Sequence, residues 1–276
     1  MMWTALKILG YILLAYVVIV LIVSLFQRQL IYFPARDSEE KLIKSAQSKN
    51  LEPWRNSEGE LMGWKSPAPK PNAETNAVLV FHGNAGYALH RDYIADGLLS
   101  QETGSPWQLY LFEYPGYGSR PGSPSEQNIK ESGARAFSDL VDLDHQNIFV
   151  FGESIGNGVA CYLSQKYPEK VDGMLLVSAF TSMADMVREH YWYLPIRLLL
   201  RENYENIEML EGYTGPVAFL YGEQDRIVPP RLTKELFESY QGPKKIYSQP
   251  NSGHNTMNYD SEADWWELAL TFLTKQ

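Results

Sequence analysis

A single cysteine, Cys161, stands in the chain of 276 residues, so no disulfide can form within it. Sequons of the N-x-[ST] type are missing as well, and the two absences together are compatible with a reducing compartment. Positive charge is scarce: 24 Lys and Arg face 33 Asp and Glu, a formal balance of −9. The isoelectric point is near 5.1 and no basic cluster is interleaved with aromatics, which argues against a nucleic-acid partner. No Cys/His group has metal-ligand spacing, and the one Gly-rich loop, His82-Gly83-Asn84-Ala85-Gly86, matches neither the dinucleotide nor the P-loop pattern. Neither a metal nor a cofactor is required by what is present. Internal repeats and low-complexity tracts are also lacking. A hydrophobic fraction of 45% is enough for one sizeable core.

Charge is missing most completely from Ile8 to Phe26. Nineteen consecutive residues without a charged side chain would span ~28 Å as a helix, close to the thickness of a bilayer core. A cleaved secretory signal has a shorter apolar stretch and a small-residue cleavage site, which Leu25-Phe26-Gln27-Arg28 does not offer. The expectation is a single-pass membrane protein held through residues 8–26. Arg28, Arg36, Lys41 and Lys44 follow the span and only Lys7 precedes it, so the positive-inside rule leans toward a cytoplasmic globular domain, with an exporting signal anchor as the other arrangement.

The most informative stretch is Gly152-Glu153-Ser154-Ile155-Gly156. A serine flanked in this way by glycines suits a sharp strand-to-helix turn, which lifts the hydroxyl above a sheet. The apolar run Asn147 to Phe151 precedes it as a buried strand, and Ile155 to Gln165 continues as a helix rich in small residues, Gly156, Gly158, Ala160 and Cys161. Cys161 is expected to be a core residue on that helix. A serine hydroxyl needs a base, and the base needs an acid that fixes its tautomer. Around such an elbow the acid and then the base follow on loops after later strands, and only His190 and His254 come after Ser154. His254 lies just after the strand-like Lys244 to Ser248 and is the expected base; His190 sits in a helical stretch and reads as a lid or surface residue. Asp225, in the turn after Val217 to Tyr221, is the expected acid, with Glu223 as the fallback. For an oxyanion the chain offers the backbone N–H of Ile155, just after the elbow, and that of Asn84 in the loop after Ala77 to Phe81. His82 is expected to brace that loop by hydrogen bonding.

In their order, the segments His82 to Gly86, Tyr114-Pro115-Gly116-Tyr117-Gly118, Gly152 to Gly156, Ser178-Ala179-Phe180-Thr181-Ser182, Gly222-Glu223-Gln224-Asp225 and Gly253-His254 resemble the small membrane-anchored α/β-hydrolase-domain proteins, near the serine aminopeptidase-like families. The resemblance runs from about Gln29 to the C-terminus. It implies an α/β-hydrolase fold, Ser154, Asp225 and His254 as a triad, and Asn84 and Ile155 as oxyanion donors, in agreement with the reading from the residues alone. Two positions depart from the pattern. Asn157 stands where many relatives have glycine, and Glu153 places a carboxylate beside the serine, which is expected to make the site more negative and to disfavour anionic substrates.

Strands centred on Ala77 to Phe81, Leu109 to Phe112, Ile148 to Phe151, Met174 to Val177, Val217 to Tyr221 and Lys245 to Ser248 alternate with helical segments, which predicts a mostly parallel sheet covered on both faces. The expected organisation is an anchor over 1–28, a connector and first hairpin over 29–72, and a catalytic core over 73–276 with an insertion at 181–213. In the connector, Asp37 with Glu40 reads as a capping box; Pro53 to Asn56 and Leu61 to Lys65 read as a hairpin; Pro67, Pro69 and Pro71 read as a surface linker. The insertion is rich in apolar groups, among them Met186, Val187, Trp192, Leu194, Ile196, Leu198, Leu199 and Leu200, broken at Pro195. It reads as a lid over an acyl pocket, as a membrane contact, or as two helices packed on the sheet. The expected activity is hydrolysis of an ester or thioester of a lipid-like acyl chain, with amide or peptide cleavage as the runner-up and an idle membrane-tethered interaction module as the reading outside enzymes.

Overall fold

The computed structural model describes residues 2–69, 75–143, 145–195 and 199–275; expectations that fall on Pro71, Ile196 and Leu198, and the domain boundary at 72/73, lie outside the described residues. Eight strands form one sheet: β1 (Glu52–Arg55), β2 (Leu61–Lys65), β3 (Asn76–Phe81), β4 (Trp107–Phe112), β5 (Asn147–Glu153), β6 (Gly173–Val177), β7 (Val217–Gly222) and β8 (Lys244–Gln249). Their spatial order is β8-β7-β6-β5-β3-β4-β2-β1. The first hairpin is antiparallel and joins β4 antiparallel, while β4, β3 and β5 through β8 run parallel.

Alternation along the strands explains why both faces are covered. Ala77, Leu79 and Phe81 of β3 enter one apolar cluster, and Val78 and Val80 enter the other. The same split recurs in β5, with Ile148 and Val150 on one face and Phe149 and Phe151 on the opposite one. The first face is covered by α4 (Glu126–Val141), α5 (Gly156–Lys166), α7 (Asn206–Leu210) and α8 (Pro230–Ser239), through residues such as Phe137, Leu163, Leu210 and Leu236. The second face is covered by α2 (Glu39–Ser48), α3 (Asp92–Leu99) and α9 (Trp265–Thr274), through Leu42, Leu98, Trp266 and Leu273. At the edge, β8 is only partly buried and carries Lys244 and Lys245, charges that blunt pairing with another chain.

Helix α1 (Met2–Ile31) is 30 residues long and largely exposed; its apolar window has a mean hydropathy of 2.9, and it is the one helix among the described residues long and apolar enough to cross a membrane. It continues past Phe26 through good helix formers, and Gln27 is buried on it. The short helix that follows is capped differently from expectation. Ser38 Oγ accepts the Lys41 N–H at 3.4 Å, whereas Asp37 Oδ1 accepts the Ser38 N–H and pairs with Lys41 Nζ at 3.1 Å, so Ser38 is the N-cap and the Asp37/Glu40 capping box is not formed. One residue further along, serine had the geometry to reach the third N–H. The described residues of the insertion include the helices α6 (Met183–His190) and α7, and Tyr193 after α6 meets α1: Tyr16 Oη donates to Tyr193 O at 2.8 Å.

The parallel register sets the site. Phe81 lies opposite Gly152, so the Gly-rich loop after β3 and the turn after β5 leave the sheet side by side. A Cβ at Gly156 would meet Phe81 O at 2.1 Å and His82 O at 3.0 Å, both backbone atoms that have no room to give way. Gly158 meets a side chain instead: its Cβ would stand 2.1 Å from the Tyr204 ring. Gly156→Ala is therefore expected to destabilise the protein by about 3 kcal/mol or more, read as a lowered urea midpoint. Gly212→Ala, at a position with no heavy atom within 4 Å of the added Cβ, is expected to leave that midpoint nearly unchanged.

Candidate active site

Ser154 sits at the end of β5 with φ +55°, a left-handed conformation that costs a non-glycine residue about 1–3 kcal/mol. The turn is held by three bonds. Ser154 N–H donates to Val177 O at 2.9 Å, and the Asn157 side-chain amide donates to both Ser154 O and Val177 O at 2.8 Å. Asn157, the departure from glycine, thus clamps the elbow to β6. A Cβ at Gly152 would lie 2.7 Å from Asn157 Cα, so the clamp itself needs glycine there. Ile155 begins α5, where the first N–H groups have no partner within the helix.

His254 Nδ1 lies 2.8 Å from Asp225 Oδ2. Ser178 Oγ donates to the same oxygen at 3.0 Å, and the N–H groups of Ile227 and Val228 donate to Asp225 Oδ1 at 2.9 and 2.8 Å. The carboxylate is buried and its orientation is fixed on both oxygens. Asp225 pairs with neither Arg226 nor the start of α8, whose N-cap is Pro229. Among the described residues no hydrogen bond joins Ser154 Oγ to the imidazole; in a substrate-free site this bond is often long. Glu223 turns away to accept from Ser248 Oγ, and His190 is exposed with Nε2 at 3.0 Å from Ile227 O.

Two phenols shape the Gly-rich loop. Tyr114 Oη donates to His82 O at 2.6 Å and Tyr117 Oη donates to Asn84 O at 2.7 Å, pulling carbonyls outward. Asn84 O also accepts the Phe33 N–H, and the Asn84 side chain donates to Ile31 O. His82 is buried, with Nδ1 2.7 Å from Gly83 O and its ring packed on Tyr114, which is the bracing expected of it. Cys161 is fully buried, and burial pushes its thiol up to about 12, so it is no nucleophile.

Sequence reasoning missed Arg91. It lies on a 3-10 turn after the Gly-rich loop, and its Nε donates to Glu153 Oε2 at 2.8 Å while Tyr93 Oη reaches the same oxygen at 3.5 Å. Burial alone raises the Glu153 carboxyl, but the charge and hydrogen bonds of Arg91 outweigh it and hold the group below the ordinary carboxylate range. The expected negative potential beside Ser154 is thus matched by a cation, and the expectation that Glu153 disfavours anionic substrates loses its basis. Pairing partners 62 residues apart leave no local signal. Glu153, His254, Arg91 and Tyr93 border a polar hollow of about 980 Å³. No cluster of three His, Cys, Asp or Glu suited to a metal occurs among the described residues.

Residues 76–195 match the family described as the alpha/beta hydrolase fold. An uncharacterized protein of Mycobacterium tuberculosis, Rv2307c, is 35% identical over 236 residues, covering 83% of this chain and 80% of that one. The chain belongs to the α/β-hydrolase superfamily. A more distant member is the lysophosphatidylserine lipase ABHD12 of Rattus norvegicus, 26% identical over 67% of this chain and 50% of its own length. Among solved structures, the esterase Est1E of Butyrivibrio proteoclasticus superposes with a TM-score of 0.62 at 13% identity, over 82% of this chain and all of that one, a likeness of fold.

The Arg91 pair gives a test of the site's electrostatics. A depressed Glu153 carboxyl contributes stability that is fully present above the ordinary carboxylate range and is lost as pH falls through the folded value. Arg91→Gln is expected to cost roughly 3 kcal/mol at pH 7, because it leaves a carboxylate buried without its partner. Arg91→Gln with Glu153→Gln should recover most of that loss in urea denaturation, and a double variant no more stable than the single one would contradict the pairing.

Proposed function

We propose that the protein is a membrane-anchored serine hydrolase that cleaves an ester or thioester of a lipid-like acyl chain. The observation that carries this reading is the His254–Asp225 bond, with both carboxylate oxygens occupied, joined through Ser178 and its neighbour Val177 to a serine on a left-handed turn. Ser154 Oγ attacks the acyl carbon while His254 takes its proton. The developing oxyanion is held by the N–H groups of Ile155 and Asn84. His254, oriented by Asp225 and Ser178, then gives the proton to the leaving oxygen or sulfur, and the acyl group stays on Ser154. Water, deprotonated by His254, releases the acid and restores the serine. A lipase among the relatives and the apolar helix α1 support a substrate drawn from a membrane. The domain lies on the cytoplasmic side in this reading, in keeping with Arg28, Arg36, Lys41 and Lys44 after the span.

A fluorophosphonate probe is expected to label the wild type at Ser154. Ser154→Ala should abolish labelling with an unchanged thermal midpoint, and Asp225→Asn should lower turnover on the order of a thousandfold through the wrong imidazole tautomer. Persistent labelling of folded Ser154→Ala would remove the assignment, and an unlabelled wild type would leave a non-catalytic module. For the anchor, the full-length protein is expected to stay with the membrane pellet through alkaline carbonate extraction; recovery in the supernatant with an intact N-terminus would reject a bilayer-spanning α1.

A further inference from the structure

A second cavity, of about 430 Å³, lies between α1 and the insertion. Ile19, Val23 and Leu30 form one wall, and Val187, Leu194 and Leu199 form the other. Its size falls among those of small-molecule sites, roughly 300–1,000 Å³. Among the polar residues in its wall, which include Ser24, Tyr191 and Tyr193, Gln27 is engaged at both ends: Nε2 donates to Leu199 O at 3.1 Å and to Ser24 O at 2.8 Å, while Oε1 accepts the Arg201 N–H at 2.8 Å. Gln27 thereby stitches the two walls together, and the lining is mostly apolar.

Two residues of the cavity wall are tied to the Gly-rich loop of the candidate site. Ile31 and Phe33 line the cavity, and both are bonded to Asn84: the Asn84 side chain donates to Ile31 O at 2.8 Å and Phe33 N–H donates to Asn84 O at 3.1 Å. Ile19 and Val23 of the same wall belong to the apolar stretch of α1, where the surrounding medium of a membrane-spanning helix is hydrocarbon.

We infer that this cavity is the acyl-chain site, that the anchor helix is one of its walls, and that a single acyl chain passes from the bilayer along α1 with its carbonyl end at the Asn84 loop. The assignment rests on the hydrolase reading above and adds what that reading does not contain, a substrate subsite built partly from the anchor. The occupant is an acyl chain because the walls are mostly apolar, Ile19 and Val23 belong to the apolar stretch of α1, and Ile31 and Phe33 are bonded to the residue offering an oxyanion donor. Helix α1 therefore does more than tether: it sets which chains fit.

The test uses the full-length protein in lipid nanodiscs, with Val23→Trp and Leu199→Trp filling the cavity from opposite walls and Leu9→Trp as an exposed control on the same helix. The ratio of kcat/KM for p-nitrophenyl laurate to that for p-nitrophenyl butyrate is expected to fall about tenfold or more in the two filled variants and to hold in the control. An unchanged ratio, or an equal loss on both esters, would overturn the assignment while leaving the hydrolase reading intact. Independently of turnover, a diazirine-bearing palmitic acid is expected to cross-link to the peptides around Val23 and Leu199. Cross-links confined to other segments, or protein-to-protein cross-links between copies through Val23 introduced as a photoreactive residue, would make this a helix-packing face and overturn it. A wild type that cleaves neither ester yet cross-links in the cavity would reject the hydrolase reading and retain the acyl site.

Discussion

The closeness of two backbones governs the site. At Gly156 the first turn of α5 presses so tightly on the end of β3 that an added methyl would stand 2.1 Å from Phe81 O. That contact is possible because β3 and β5 are neighbours in register, Phe81 beside Gly152, and because no side chain intervenes at either elbow glycine. From it follow the placement of the Ile155 N–H beside the Gly-rich loop and the left-handed turn at Ser154. The strain of about 1–3 kcal/mol at that turn is over-determined by the bonds from Asn157 and to Val177 O.

Strand β6 joins the two halves of the candidate triad. Its last residue, Val177, accepts the Ser154 N–H through its carbonyl, and the next residue, Ser178, itself at φ +47°, donates to Asp225. Two consecutive residues therefore hold the serine's backbone on one side and the acid's side chain on the other. Asp225 in turn takes two N–H groups from its own turn, so the direction of its remaining contact, to His254, is set by the sheet rather than by loop flexibility.

The sheet, its parallel direction, the sharp turn at Ser154 and the pairing of Asp225 with His254 were legible because local signals carried them: continuous apolar runs, glycines at fixed offsets, and polar residues just after strands. The job of the Tyr114-to-Gly118 segment was not legible, since a phenol donating to His82 O 32 residues away leaves no spacing rule. Arg91 was hidden for the same reason. Asn157 looked like a defect in a pattern until its amide was seen to bridge two carbonyls. At Ser38 the error was of one residue, because Asp and Ser are nearly equal N-caps and the choice between them is made by backbone geometry. The far reach of α1 was under-read, since an apolar count stops at Phe26 while the helix is continued by Gln27 and Arg28 for tertiary reasons.

Those tertiary reasons lie in a polar knot at the base of α1. Glu202 is fully buried and accepts from Arg28 Nε at 2.7 Å, Tyr32 Oη at 2.5 Å and the Glu126 N–H. Tyr32 Oη also meets Tyr204 Oη at 2.8 Å. A carboxylate in such a place is a weak source of stability, because its desolvation offsets much of the attraction. Its effect is geometric: any rotation of α1 about its axis would carry Arg28 away and leave Glu202 buried without a counter-charge, a state costing several kcal/mol. The knot therefore fixes which face of α1 meets the insertion. Tyr204, held in it at φ +44°, lays its ring against Gly158 of α5, one turn along the helix that begins at the elbow. Helix α1, the insertion and the helix that positions Ser154 are thus locked in one arrangement, and the mostly apolar cavity between the first two is held at a fixed place relative to the third.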